Sequence, residues 1–315
     1  MLLYLVDKLR VFKHRQQNTL LPNTPSVMAI KNISTPFMVA PMPKSFPERV
    51  GTDLYNKYRQ FSEPDTKLAI QTGTSSSTST KKQSQDGSPV ILVFVIAGNH
   101  DLILDPNFVA NHPDSGLDRQ GQRLSDLDWG DVHYLNHESV DLEIPQKKRS
   151  IRVFGSPWTV YCGNWAFQYG GGEKKESFTW TGAVPTGTDV LLVHGPPKSH
   201  LDDGGRGCEK LLAEIWRSKP SVMVFGHIHS GHGEEWLWYS RAQGWFENIV
   251  VERRRPWASL IGLALCVLLL MIFGALGLPR TASGSGHKKG THLINAAMAG
   301  GRGNPKQKEA TVAII

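Results

Sequence analysis

The chain is poor in cysteine. Its 315 residues hold three, Cys162, Cys208 and Cys266, and no two of them form a CxxC pair. That excludes a disulfide framework, and a reducing compartment suits the globular part. No basic stripe interleaved with aromatic residues occurs either, so the formal net charge of +7 does not read as a nucleic-acid surface. Much of that excess lies in flanking clusters, Arg253, Arg254 and Arg255 in one and Lys288 and Lys289 in another, which read as solvated or membrane-surface charge. The opening M-L-L-Y-L-V-D-K has no basic start and no long apolar core, which argues against a secretion signal. Residues 1–86 lack any sustained hydrophobic period. Pro22, Pro25, Pro36, Pro41, Pro43 and Pro47 interrupt them, and residues 74–87 are low in complexity. One short helix is expected there, near residues 54–61.

From Pro89 the character changes. Apolar runs at residues 90–97, 151–154, 189–193 and 221–225 read as strands. Residues 131–144 read as a short strand pair, with Val140, Leu142 and Ile144 alternating. Residues 208–216 read as a helix with Leu211, Leu212, Ile215 and Trp216 on one face. Cys208 at its start suits core packing or, at a helix N-terminus, a lowered pKa. T-H-L-I-N-A-A-M and A-T-V-A-I-I read as two closing strands around a polar turn at residues 300–308. Strands alternating with helices predict a layered α/β domain.

Three of those runs end in histidine-bearing strings. V-F-V-I-A-G-N-H-D carries Asn99, His100 and Asp101; V-L-L-V-H-G-P-P carries His194; V-M-V-F-G-H-I-H carries His227 and His229. Open sheets place ligands beyond the carboxyl ends of their strands, so the three strings point to one shared site. Imidazole, amide and carboxylate groups suit Mn²⁺, Fe or Zn²⁺. Such an ion polarises a phosphoryl oxygen and lowers the pKa of a bound water. Each residue also has a plainer reading. Asn99 suits a turn, His100 a cap, and Asp101 a turn or helix cap as well as a catalytic partner. Trp158, Trp165 and Trp180 suit the core better than a base-stacking platform.

G-N-H-D, H-G-P-P and G-H-I-H, in this order, resemble the calcineurin-like metallophosphoesterases, and most of all their metallophosphoesterase-domain-containing branch. G-S-P-W, N-W-A-F-Q-Y, G-C-E-K-L-L-A-E-I-W-R-S-K-P and L-I-N-A-A-M add to the likeness. The resemblance implies an α/β (α+β) fold, a β-sandwich flanked by helices. It implies two divalent cations, most readily Mn²⁺, and hydrolysis of phosphomonoesters or phosphodiesters, nucleotide-like substrates included, through a metal-activated hydroxide. By resemblance Asn99, His194 and His227 ligate one cation and His229 the other. His100 serves the leaving group and Asp101 orients it. The chain departs from the family pattern in one place: no Asp-x-His and no Gly-Asp string precedes Gly98. That leaves one cation with three protein ligands and the other with His229 alone. By that departure the first strands of the sandwich are expected to be absent, through a mis-joined upstream region or in a degenerate enzyme. Impaired activity is the expectation, and a non-catalytic, membrane-tethered phosphate- or nucleotide-binding protein is the alternative.

From Trp257 to Leu278 the sequence carries no charge, long enough for a helix to cross a bilayer. The organisation expected is an irregular region at 1–86, the phosphoesterase domain at 87–250, a hydrophobic membrane-associated helix at 251–280 and closing strands at 281–315. The catalytic domain is expected on the cytoplasmic side. Spanning conflicts with the closing strands, which would then lie across lipid from the sheet they complete, so a monotopic helix in the interface is the other mode and the choice between them stays open. A buried core helix is the plainer reading of the run.

Overall fold

The computed structural model describes residues 45–62, 82–83, 89–90, 92–112, 127–130, 132–144, 149–170, 178–252, 256–277 and 290–297. The first described element is helix α1 (Phe46–Ser62), longer than the short helix expected near residues 54–61. Two minimal strands follow, β1 (Lys82–Gln83) and β2 (Pro89–Val90), paired antiparallel. Then come β3 (Val93–Val95), α2 (Pro106–Asn111), β4 (Val132–Tyr134), β5 (Glu138–Ile144) and β6 (Arg149–Ser156). The short parallel pair β7 (Thr159–Val160) and β8 (Gln168–Tyr169) leads to β9 (Val190–Val193), α3 (Glu209–Ser218) and β10 (Val222–Phe225). Last are β11 (Gly233–Trp238), α4 (Arg241–Glu247), α5 (Pro256–Ala275) and β12 (Gly290–Asn295). The second closing strand expected at residues 310–315 lies outside the described residues.

Six strands form one mixed sheet in the order β11-β12-β10-β9-β6-β5. The run from β6 through β9 and β10 to β12 is parallel, and the two outer strands are antiparallel to their neighbours. A second sheet contains, among the described residues, β3 and β4 in parallel. The strand pair expected at residues 131–144 therefore divides between layers: β4 joins β3, and β5 joins β6. Both segments have strand character, but pairing is settled by which sheet face each can cover, not by nearness in sequence.

Side chains alternate across a strand, so each central strand feeds two cores. Val190, Leu192, Val222, Val224, Ile151 and Val153 face Phe94, Ile96 and Leu135 of the smaller sheet. Leu191, Val193, Met223, Phe225 and Phe154 face Leu211, Leu212 and Ile215 of α3. Continuous apolar runs such as V-L-L-V are what a strand covered on both faces requires. Each fully buried aliphatic side chain is worth about 1.5–3 kcal/mol. Gly155 lets the two sheets close: a Cβ there would sit 2.4 Å from Leu135 Cβ.

The ends of α3 follow from local chemistry. Cys208 is its N-cap, its Sγ accepting from the Leu211 amide at 3.2 Å. Burial pushes the Cys208 thiol up, so packing and capping, not thiolate reactivity, describe it. Lys219 ends the helix in the left-handed region, and Pro220 cannot continue it. A separate helical layer joins α1, α4 and α5 around Tyr55, Ala242, Ile249, Leu260 and Leu263. Tyr55 stacks on Phe246 with ring centroids 4.4 Å apart and donates from its hydroxyl to Gln243.

Candidate metal centre

Parallel pairing of β9 with β10 sets the two strand ends side by side, with Val224 opposite Leu192. The strands close beyond them through the Gly226 amide, which donates to the His194 carbonyl at 3.0 Å. His194 thus follows one strand and His227 the next. From the other sheet, β3 delivers Gly98 and Asn99 over the same spot. The loop beneath is held by Asp105, which caps α2 through the Asn107 and Phe108 amides. Its second oxygen accepts from the Phe167 amide at 2.8 Å, and the Ala166 amide donates to the Asn99 carbonyl at 3.1 Å. The N-W-A-F-Q-Y segment is therefore a prop for the G-N-H-D turn.

Three donor atoms converge. His194 Nε2 lies 2.8 Å from Asn99 Oδ1 and 3.1 Å from His227 Nδ1, and both His194 and Asn99 are buried. The two imidazole centroids are 4.8 Å apart. Burial holds His194 well below the ordinary histidine range, and the charges of His227, His100 and His229 push it further down. Burial likewise lowers His227 to about 4, with His100 and His229 again contributing. Both rings are therefore neutral at neutral pH, with lone pairs available to a cation. One proton on His194 Nε2 can serve Asn99 and His227 at once, and a cation in place of that proton would meet the same three donors.

The backbone at His227 is unusual. Its φ is 66°, and the Ile228 amide donates to the Gly226 carbonyl at 2.7 Å, closing a three-residue turn around it. Such a γ-turn is rare and strained for a residue other than glycine. The strain goes with a ring set against His194. Gly98 is required for a different reason: a Cβ there would meet His194 Cε1 at 2.5 Å.

His229 opens a short 3-10 turn, and its charge reaches both buried rings. His100 does the same, with its ring 4.3 Å from that of Trp165 in an edge-on contact. Asp101 closes the strand-end turn: its carboxylate accepts from the Gly98 amide at 2.7 Å. Trp180 is buried, as expected of a core aromatic, but Trp165 is exposed beside His100. Sequence reasoning undervalued Trp165, although its place inside N-W-A-F-Q-Y was a signal. It also assigned no task to Asn295 of L-I-N-A-A-M. That buried amide donates to the Leu201 carbonyl at 3.1 Å and to the Ile228 carbonyl at 2.9 Å, pinning the loop between His227 and His229.

Among the described residues, no group of three or more His, Cys, Asp or Glu side chains is placed to hold a metal ion. The convergent set has two imidazoles, and its third donor is an amide oxygen. These donors fit one borderline cation such as Mn²⁺, Fe or Zn²⁺.

No family model matches the chain. Among curated proteins, Probable rhamnogalacturonate lyase C of Emericella nidulans is 35% identical over 255 residues, 78% of this chain and 22% of that protein. Metallophosphoesterase domain-containing protein 1 of Homo sapiens is 33% identical over 148 residues, 44% of this chain and 45% of that protein. UPF0046 protein T07D4.2 of Caenorhabditis elegans is 32% identical over 163 residues, 44% of this chain and 38% of that protein. The chain spans less than half the length of each of these relatives. The name of the second supports a metallophosphoesterase branch for the region it shares with this chain. The lyase name belongs to a protein of which this chain matches about a fifth.

Proposed function

We propose that this chain is a metal-dependent phosphoesterase that hydrolyses phosphomonoesters or phosphodiesters of nucleotide-like substrates, with reduced turnover. The observation that supports it most is the place of His194 Nε2, 2.8 Å from Asn99 Oδ1 and 3.1 Å from His227 Nδ1, at the ends of strands from two sheets. The metallophosphoesterase name of relatives at about 33% identity agrees with it.

Asn99, His194 and His227 would hold a divalent cation, which when bound supplies Lewis acidity toward a phosphoryl oxygen. The chain's own groups account for the rest. The buried His194 and His227 rings, neutral at neutral pH, would turn lone pairs and not protons toward the cation. His100, next to the exposed Trp165, would give a proton to the departing alkoxide. Asp101 holds the turn that presents it. Trp165 offers a flat face to a planar leaving group. Reduced turnover follows from the ligand set, since the Asp-x-His and Gly-Asp strings that complete a second cation site do not precede Gly98.

The test pairs metal content with turnover of an aryl phosphodiester in Mn²⁺. The purified chain is expected to bind Mn²⁺ and to hydrolyse the diester slowly. His194→Ala should abolish both, while His232→Ala, at the histidine that ends the turn begun by His229 and lies outside the convergent set, should retain the metal. Unchanged metal content in His194→Ala would overturn the site. Nucleotide binding with no turnover would instead favour the non-catalytic binder.

A further inference from the structure

Helix α5 is long and apolar enough to cross a membrane, but only a third of its most apolar window is buried in the protein. It is therefore no ordinary core helix. Ser259, Leu260, Gly262, Leu263, Val267 and Leu270 are its buried positions. Gly262 abuts Trp245: a Cβ there would lie 2.8 Å from the indole. The opposite side presents Trp257, Ile261, Leu265, Leu268, Ile272 and Leu276, all exposed. Spacings of three and four residues line these up in one stripe along the helix. At its start, exposed Phe46 of α1 lies 6.1 Å from Trp257, ring to ring.

Topology decides how such a helix could meet lipid. It is inserted between β11 and β12, which pair along their whole length from Gly233 opposite Asn295 to Trp238 opposite Gly290. Both ends of the insertion are thus tied to one sheet edge. A spanning α5, about 30 Å long, would oblige residues 277–289 to return through the bilayer. That segment carries Arg280, Ser283, Ser285, His287, Lys288 and Lys289. Unpaired backbone and charge in hydrocarbon forbid such a return.

We infer that this chain docks on an anionic membrane surface through the exposed stripe of α5, the helix lying in the plane of the interface and not crossing it. The inference is independent of the phosphoesterase reading. Two features favour lipid over a second copy of the chain. The stripe is unbroken by any polar residue, whereas protein interfaces carry a polar rim. In sequence, no Asp or Glu occurs between Glu252 and Glu309, while Arg253, Arg254, Arg255, Arg280, Lys288 and Lys289 flank the helix. Positive charge beside an apolar face is what an anionic leaflet attracts, and tryptophan is favoured at the headgroup level.

The experiment is flotation of the full chain with phosphatidylcholine vesicles and with vesicles that also contain phosphatidylserine. The chain should float with the second kind and less with the first. Ile261→Ser, Leu265→Ser and Leu268→Ser together should lower the floated fraction by at least about tenfold, since each buried aliphatic chain exceeds that factor in partitioning. Circular dichroism should be unchanged, because all three side chains are exposed. Tags at the two chain ends should both be cut by protease outside intact vesicles. Protection of one tag would overturn the in-plane arrangement. Failure to float with either vesicle, or a detergent-free dimer that the triple variant dissociates, would overturn the lipid assignment.

Discussion

Asn295 Nδ2 donates to the Ile228 carbonyl at 2.9 Å, across a gap of 67 residues in sequence. Through that bond the last described strand of the sheet fixes the loop that carries His227 and His229. The same amide reaches Leu201, so one side chain ties together two of the loops that surround the strand ends.

Replacing Asn295 should therefore loosen the histidine loop before it unfolds the sheet. Asn295→Ala leaves two part-buried carbonyls, those of Leu201 and Ile228, without this donor, a cost of about 1–3 kcal/mol. Mn²⁺ affinity is expected to fall, with the circular dichroism spectrum retained. Titration calorimetry beside thermal melting checks this. Loss of stability with no change in Mn²⁺ affinity would show that Asn295 serves the sheet alone.

Gly98→Ala tests the close approach of the two sheets at the site. Its Cβ would lie 2.5 Å from His194 Cε1, so the imidazole must move. The substitution is expected to cost about 1–3 kcal/mol by overpacking and to remove bound Mn²⁺. Metal analysis of the folded variant is the measurement, and full retention of metal would contradict the geometry.

A third prediction concerns alkaline pH. Buried His200 lies between Glu235, 2.8 Å from Nδ1, and Glu247, 3.3 Å from Nε2. Burial alone would lower its pKa, but hydrogen bonds to the two carboxylates raise it to about 10 from an ordinary 6.5. The folded state therefore binds a proton that the unfolded state releases between those values. Its contribution is fully present below pH 6.5 and is lost as pH rises toward about 10. Urea unfolding across that range should show stability falling with pH, and His200→Gln should flatten the slope.

The acid side has its own group. Glu214 on α3 accepts from the Gly182 and Val184 amides at 3.0 and 2.8 Å and pairs with Arg217 at 2.6 Å. Burial would raise its pKa, but the Arg217 and amide hydrogen bonds outweigh that and hold it below its ordinary 4.5. Its contribution is thus present above pH 4.5 and lost as pH falls further. Glu214→Gln should weaken the fold at neutral pH and reduce the loss of stability on acidification, read by the same urea series.

Much of this was legible without coordinates. V-L-L-V and V-M-V-F announce buried strands, because a segment covered on both faces cannot tolerate a polar residue. The histidines beyond them stand out because each follows such a run. Leu211, Leu212, Ile215 and Trp216 announce α3 by sharing one helical face. The pairing of β4 with β3 was not legible, since nothing within residues 131–144 states which sheet has a vacant edge. The exposed face of Trp165 and the bonds of Asn295 were hidden for the same reason, as each depends on segments remote in the chain.

Periodicity and residue type alone thus determined β6, β9, β10 and α3, and which side chains offer donor atoms suited to a cation. Those properties rest on local sterics and on the donor atoms themselves. Only tertiary structure decided that Asn99, His194 and His227 share one point, because parallel register and sheet stacking bring distant strand ends together. It also decided the attitude of α5: pairing of β11 with β12 on either side of the insertion holds both helix ends to one sheet edge, a constraint that no hydrophobic run contains in itself.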